Sequence, residues 1–288
     1  MMKTSQQSVC VRSQGDDLAG ELFLPQSNNP TPVLIVCHGA GEFKENYFEM
    51  CEMLAAQGVA SLAIDMHGHG ASAGERFYVS MHQWVADVRS AVDFLVTHPR
   101  IDANKIGAFG LSSGGTAILE AAIVDARLKA LVALDATVRN SLPLPMTFFL
   151  KSLLLVGKIK KYFTSQDLRV PLAKMGKFHL ASDPEVDARL QTDPRGLAAF
   201  MAFPFPGGAQ AFFVDTLKRV SRIKAPTLVL WGEDDKLDSP KTARLLFGAL
   251  SCEKQLNIIP GNGHVGHLDR NKDKVFALTA EWALKILV

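Results

Sequence analysis

Lys105-Ile106-Gly107-Ala108-Phe109-Gly110-Leu111-Ser112-Ser113-Gly114-Gly115-Thr116-Ala117-Ile118-Leu119 joins two different periodicities at one serine. Up to Leu111 the run is apolar or small without interruption, as expected of a strand buried on both faces. From Gly114 to Val124 apolar residues recur at helical spacing. Gly110-Leu111-Ser112-Ser113-Gly114 therefore sits at a strand-to-helix turn, with glycine two residues to either side of a serine. A serine hydroxyl is a weak nucleophile and needs presentation on a sharp turn within reach of a base. Flanking glycines leave room for such a turn, because a β-carbon there would collide with neighbouring backbone.

Working outward, the same rhythm continues. Residues 8–12 and 18–23 read as short strands around the Gln14-Gly15-Asp16 turn, and 32–38 and 59–65 as buried strands. Helices are expected over 47–57, closed by Gly58, and over 81–97. Residues 128–135 form the next strand. The alternation then lapses from Thr137 to about Lys218 and resumes with strands at 227–231 and 254–259 and helices at 239–250 and 274–287. Such repetition implies a mostly parallel sheet with right-handed crossovers and helices on both faces. The expected organisation is a core of residues 1–136 and 219–288, with 137–218 inserted as a cap.

A nucleophilic serine at a strand end calls for an acid and a histidine later in the chain, in that order. Gly232-Glu233-Asp234-Asp235-Lys236-Leu237 follows the strand at 227–231, and Pro260-Gly261-Asn262-Gly263-His264 follows the strand at 254–259. All three groups fall just past the carboxyl ends of strands, the edge where open α/β sheets place their sites. Ser112 is read as nucleophile, His264 as its base and Asp235 as the orienting acid. Asp135, Asp234 and Asp238 stay open as rivals for the acid, and His267 for the base. An oxyanion site needs two N–H donors. Ser113 N–H supplies one, and Ala40, in the loop His38-Gly39-Ala40-Gly41-Glu42, supplies the other. His38 and Gly39 are read as substrate contacts.

Together with Asp65-Met66-His67-Gly68-His69-Gly70-Ala71-Ser72, these motifs resemble the α/β-hydrolase superfamily. The nearest likeness is to the branch of monoglyceride lipases, lysophospholipases and serine aminopeptidase-like hydrolases. The resemblance spans about residues 30–135 and 220–288 and implies an α/β-hydrolase fold with an eight-stranded sheet. It also implies hydrolysis of carboxylic esters, lipid monoesters among them, with no cofactor. Thioester and peptide hydrolysis use the same three groups and remain alternatives, as does a non-enzymatic ligand-binding role.

Composition narrows the partners. Of 288 residues, 48% are hydrophobic and 21% charged, so a sizeable core is expected, and a net charge of +2 gives no long-range case for nucleic acid. Cys10, Cys37, Cys51 and Cys252 lack metal-ligand spacing, and His67 and His69 stand without a cluster, so no metal site is expected. The amino-terminal residues lack the pattern of a secretory signal, and the expected location is cytoplasmic. From Thr137 to Thr216 there are ten Lys/Arg against six Asp/Glu, among apolar clusters. Those clusters suit an acyl-lined pocket, the underside of a cap, or a surface that approaches anionic lipid.

Overall fold

The computed structural model describes residues 3–175 and 179–288. Ten strands and nine α-helices account for most of this span. Eight strands form one sheet in the order β1-β2-β4-β3-β5-β6-β9-β10. They are β1 (Thr4–Ser13), β2 (Asp16–Pro25), β3 (Thr31–Cys37), β4 (Ala60–Ile64), β5 (Ile101–Leu111), β6 (Leu128–Leu134), β9 (Thr227–Gly232) and β10 (Lys254–Ile259). Only β2 runs against its neighbours β1 and β4, and every other adjacent pair is parallel. The first two strands run longer than their apolar cores suggest, because the hairpin pairs continuously from Thr4–Pro25 to Ser13–Asp16.

Every residue of β3 is buried, and its side chains divide between the two faces by the period of two that a strand imposes. Val33, Ile35 and Cys37 join Trp84, Val88, Ala117 and Leu246 on one face. That face is covered by α2 (Met81–Val96), α3 (Ser112–Val124) and α8 (Pro240–Ala249). Leu34 and Val36 join Met50, Leu54, Val275 and Trp282 on the other, beneath α1 (Phe48–Ala56) and α9 (Lys272–Leu287). Two cores, one per sheet face, explain why the central strands read as unbroken apolar runs.

Residues between β6 and β9 form α4 (Leu144–Thr164), β7 (Leu168–Val170), α5 (Leu172–Met175), α6 (Pro184–Thr192), α7 (Pro194–Met201) and β8 (Phe203–Phe205), followed by three short 3-10 turns. β7 and β8 pair antiparallel outside the main sheet. Phe203, Phe205, Leu150 and Leu172 form a small separate core there. At Gly157 an added β-carbon would stand 2.5 Å from the Phe205 carbonyl oxygen, so glycine is what lets α4 lie against β8. Among the described residues no helix is long and apolar enough to cross a membrane.

Candidate active site

β5 ends at Leu111 in extended backbone, and Ser112 follows with φ +50°, a left-handed conformation rare for a serine. The strain persists because the packing leaves no alternative. A β-carbon on Gly110 would lie 2.4 Å from the Gly114 carbonyl oxygen, and one on Gly114 would lie 2.4 Å from that of His38. The turn thus brings α3 onto the end of β3 and holds Ser112 at the strand edge. Ser112 Oγ lies 3.4 Å from Thr137 Oγ1 and makes no hydrogen bond to His264. Thr137 donates in turn to Asp238 Oδ2 at 2.8 Å.

His264 stands in the loop after β10, buried, and its Nδ1–H donates to Asp235 Oδ2 at 2.8 Å. The other carboxylate oxygen of Asp235 accepts the backbone N–H groups of Leu237 (2.8 Å) and Asp238 (3.0 Å), which fixes the acid's orientation. The histidine loop is anchored by Asp269, whose Oδ2 accepts Gly263 N–H at 2.6 Å and Ser182 N–H at 2.7 Å. Nothing in the local sequence distinguished Asp269 from an ordinary loop acid.

The four carboxylates left open by the sequence occupy different places. Asp235 alone is hydrogen-bonded to His264. Asp234 is exposed and accepts from the Ser182 hydroxyl at 3.2 Å. Asp238 accepts the hydroxyls of Thr137 and Ser141 at 2.8 and 2.7 Å. Asp135 is fully buried at the end of β6, accepts Gly232 N–H on Oδ1 at 2.8 Å, and has no partner for Oδ2. Burial first, then repulsion from Asp235, pushes the Asp135 carboxyl well above the usual range. His264 is pulled both ways. Burial disfavours its charged form, but the Asp235, Asp135 and Asp238 carboxylates outweigh that and raise it to about 10. His267 is buried too, and stacks on Tyr47 with ring centres 4.2 Å apart, away from Ser112's hydrogen bonds.

Ser112, Ser113, His264, Gly39 and Ala40 line one cavity of about 100 Å³, closed by Leu111, Leu142, Phe200, Phe203 and Phe212. Ser113 is the second residue of α3, within the first turn, where N–H groups have no intrahelical acceptor. Gly39 N–H is taken by Glu42 Oε2 at 3.0 Å, and Ala40 beside it lies on the cavity wall. The expectation for His38 is corrected. It is fully buried and absent from the cavity wall, because its Nε2 accepts Met66 N–H at 3.0 Å and its Nδ1–H donates to the Gly39 carbonyl at 2.7 Å. His38 ties the loop after β3 to the loop after β4. Asp65 does the same, accepting Lys44 N–H and Lys44 Nζ, each at 2.8 Å.

The family model described as serine aminopeptidase, S33, matches residues 28–271. Human monoglyceride lipase is 30% identical over 268 residues, covering 89% of this chain and 82% of that protein. A hypothetical protein of Pseudomonas aeruginosa superposes with a TM-score of 0.81 at 23% identity, over 99% of this chain and 94% of that one. The monoacylglycerol lipase of Paleococcus ferrophilus superposes with a TM-score of 0.67 at 22% identity, over 99% of each chain. The two solved structures establish the fold, and the match across most of the chain establishes the family: this is an α/β-hydrolase belonging to the serine aminopeptidase S33 family.

Proposed function

We propose that the chain hydrolyses carboxylic esters through an acyl-enzyme on Ser112. The observation that carries this is convergence: a strained serine, a histidine bonded to a buried carboxylate, and the loop of Ala40 all face one apolar cavity. Ser112 Oγ leaves its weak contact with Thr137, passes its proton to His264 Nε2 and attacks the carbonyl carbon. In unliganded sites such bonds are often long and tighten only with substrate. Asp235 holds Nδ1 protonated and stabilises the imidazolium. The N–H groups of Ala40 and Ser113 bind the oxyanion, each such donor being worth about 3–4 kcal/mol. Collapse of the intermediate breaks the ester bond, the departing alcohol takes the proton from His264, and water repeats the cycle to release the acid.

Residues 137–218 act as a cap over this site, contributing Leu142, Phe200, Phe203 and Phe212 to the cavity wall. A cavity of about 100 Å³ is small beside the several hundred Å³ typical of sites for drug-sized ligands. Short acyl groups fit it as it stands. Activity on p-nitrophenyl esters from acetate to palmitate is therefore expected to peak at the short end, with fluorophosphonate labelling Ser112. A maximum at palmitate would contradict a cavity of this size, and no hydrolysis of any ester would remove the esterase reading.

The pH profile tests the base. His264 must be neutral to accept the proton, so kcat/KM rises with pH as the imidazolium is lost. Burial and repulsion from Asp235 favour the neutral form of the Asp135 carboxyl, which weakens its share of the upward pull. The acid limb is expected above the ordinary 6.5 of histidine and below about 10. A limb below 6.5 would mean that burial, not the carboxylate, governs His264.

The outer face of α4 is read as the part that meets a lipid surface. Leu144, Phe148, Leu155 and Tyr162 are 73%, 69%, 61% and 83% exposed, far more than large apolar side chains in a core helix. Their spacing puts them on one stripe with Lys151 and Lys158. From Ala136 to Gln166 the chain has five Lys/Arg and no Asp/Glu, a balance that suits anionic headgroups. Binding to phosphatidylglycerol-containing vesicles in co-sedimentation is expected. Lys151→Ala with Lys158→Ala should weaken it by about 30-fold, at roughly 1 kcal/mol per lysine. Equal binding to purely zwitterionic vesicles would rule out the charge argument.

A further inference from the structure

We propose that Glu42 is a positioning residue of the oxyanion site: by clamping the Gly39 peptide it aims the neighbouring Ala40 N–H at the oxygen that becomes charged. This rests on the reading above in which Ala40 is a donor.

A carboxylate is the wrong charge to stand beside an oxyanion, yet Glu42 lines the same cavity as Ser112 and His264. What makes it tolerable is that its charge is consumed by donors. Oε2 accepts Gly39 N–H at 3.0 Å and the Tyr47 hydroxyl at 2.7 Å. Oε1 accepts the Asn46 amide at 3.3 Å and lies 3.4 Å from His267 Nε2. Burial alone would push the carboxyl upward, but His267, Tyr47 and the Gly39 N–H more than offset it and bring it to about 2. Glu42 is therefore ionised throughout the working range and fully engaged.

The geometry shows where that engagement is directed. Glu42 N–H donates to the Gly39 carbonyl at 3.2 Å, while the Glu42 side chain receives Gly39 N–H. The turn from Gly39 to Glu42 is thus closed from both sides, with Ala40 inside it. On the far side, Tyr47 stacks against His267 at an interplanar angle of 4°, so the hydroxyl that donates to the carboxylate is itself held in place. Oxyanion stabilisation depends on donors being aimed before the charge forms, since reorganisation during reaction would cancel the gain. Glu42 supplies that rigidity without touching substrate. Its contribution should appear in kcat, where the oxyanion exists, and not in KM.

The test uses Glu42→Gln and Tyr47→Phe in the full chain. Gln keeps one acceptor for Gly39 N–H but turns an NH₂ toward donors that need an acceptor. Tyr47→Phe removes one donor and keeps the carboxylate. The readouts are kcat and KM on the preferred p-nitrophenyl ester, and inhibition by the trifluoromethyl ketone of matching chain length, whose adduct carries an oxyanion. Glu42→Gln is expected to lower kcat by about 100-fold, the cost of misaiming a group by about 1 Å, with KM within about twofold. Inhibition should weaken in the same proportion. Tyr47→Phe is expected to move both in the same direction by about tenfold, and it carries the test if Glu42→Gln does not fold.

Unchanged kcat in either folded variant would overturn the proposal. So would a rise in KM at constant kcat, which would make Glu42 a substrate contact. Ser112→Ala is measured alongside. If that variant stays active, the acyl-enzyme reading itself is wrong; if it is inactive while Glu42→Gln is unimpaired, only the role of Glu42 fails.

Discussion

Ser112→Ala is expected to lower kcat/KM on p-nitrophenyl butyrate by about ten-thousand- to million-fold while leaving the fold intact. The loss is large because every later step depends on the bond that Oγ forms. What remains is the binding and oxyanion contribution of the Ala40 and Ser113 N–H groups acting on water, which sets a floor above the uncatalysed rate. The fold should survive because the side chain is marginal to packing. Its hydroxyl makes the 3.4 Å contact with Thr137, and the turn itself is held by backbone, including Thr137 N–H to the Ser112 carbonyl at 3.3 Å. An alanine β-carbon occupies the same left-handed backbone as the serine's, so no new strain enters. Fluorophosphonate labelling should vanish in parallel. A variant retaining a tenth or more of the activity would place the nucleophile elsewhere.

The core of the sheet was readable from the chain because both its faces are covered, so each central strand is an unbroken apolar run. The candidates Ser112, Asp235 and His264 are legible for a related reason: each lies just beyond such a run, where polar residues stand out. Residues 137–218 were harder. Pro143 and Pro145 interrupt the apolar stretch that begins at Leu142, yet Pro143 caps α4 and Pro145 lies in its first turn, where the missing N–H costs nothing. A 21-residue helix follows that the prolines introduce instead of interrupting. His38 stands next to Gly39 in sequence, yet the strand end turns its ring inward against His69 and Trp84, off the cavity wall. Glu42 carried no motif signal at all. Its importance lies in four partners spread from Gly39 to His267, which only the folded chain assembles.

Asp235→Asn is expected to cost about 10⁴ in kcat, and Asp135→Asn less than about tenfold, because the two acids are held so differently. Oδ1 of Asp235 accepts the Leu237 and Asp238 N–H groups, so an asparagine must keep its carbonyl oxygen there. Its NH₂ then falls where Oδ2 now receives His264 Nδ1–H. Two donors cannot face each other, so the imidazole is driven to the tautomer with its proton on Nε2, and that nitrogen can no longer take the proton of Ser112. Asp135 has no such role to lose. Burial and Asp235 favour its uncharged form, its Oδ1 needs only to accept Gly232 N–H, and its Oδ2 has no partner. A neutral amide of the same shape keeps that acceptor. Since Asp235 favours the imidazolium against the opposing effect of burial, the residual activity of Asp235→Asn should show its acid limb shifted downward. Comparing kcat and the pH profiles of the two variants decides the assignment. If Asp135→Asn caused the larger loss, the proton-accepting pair would be His264 with Asp135, and the 2.8 Å bond to Asp235 would describe a resting arrangement that substrate undoes.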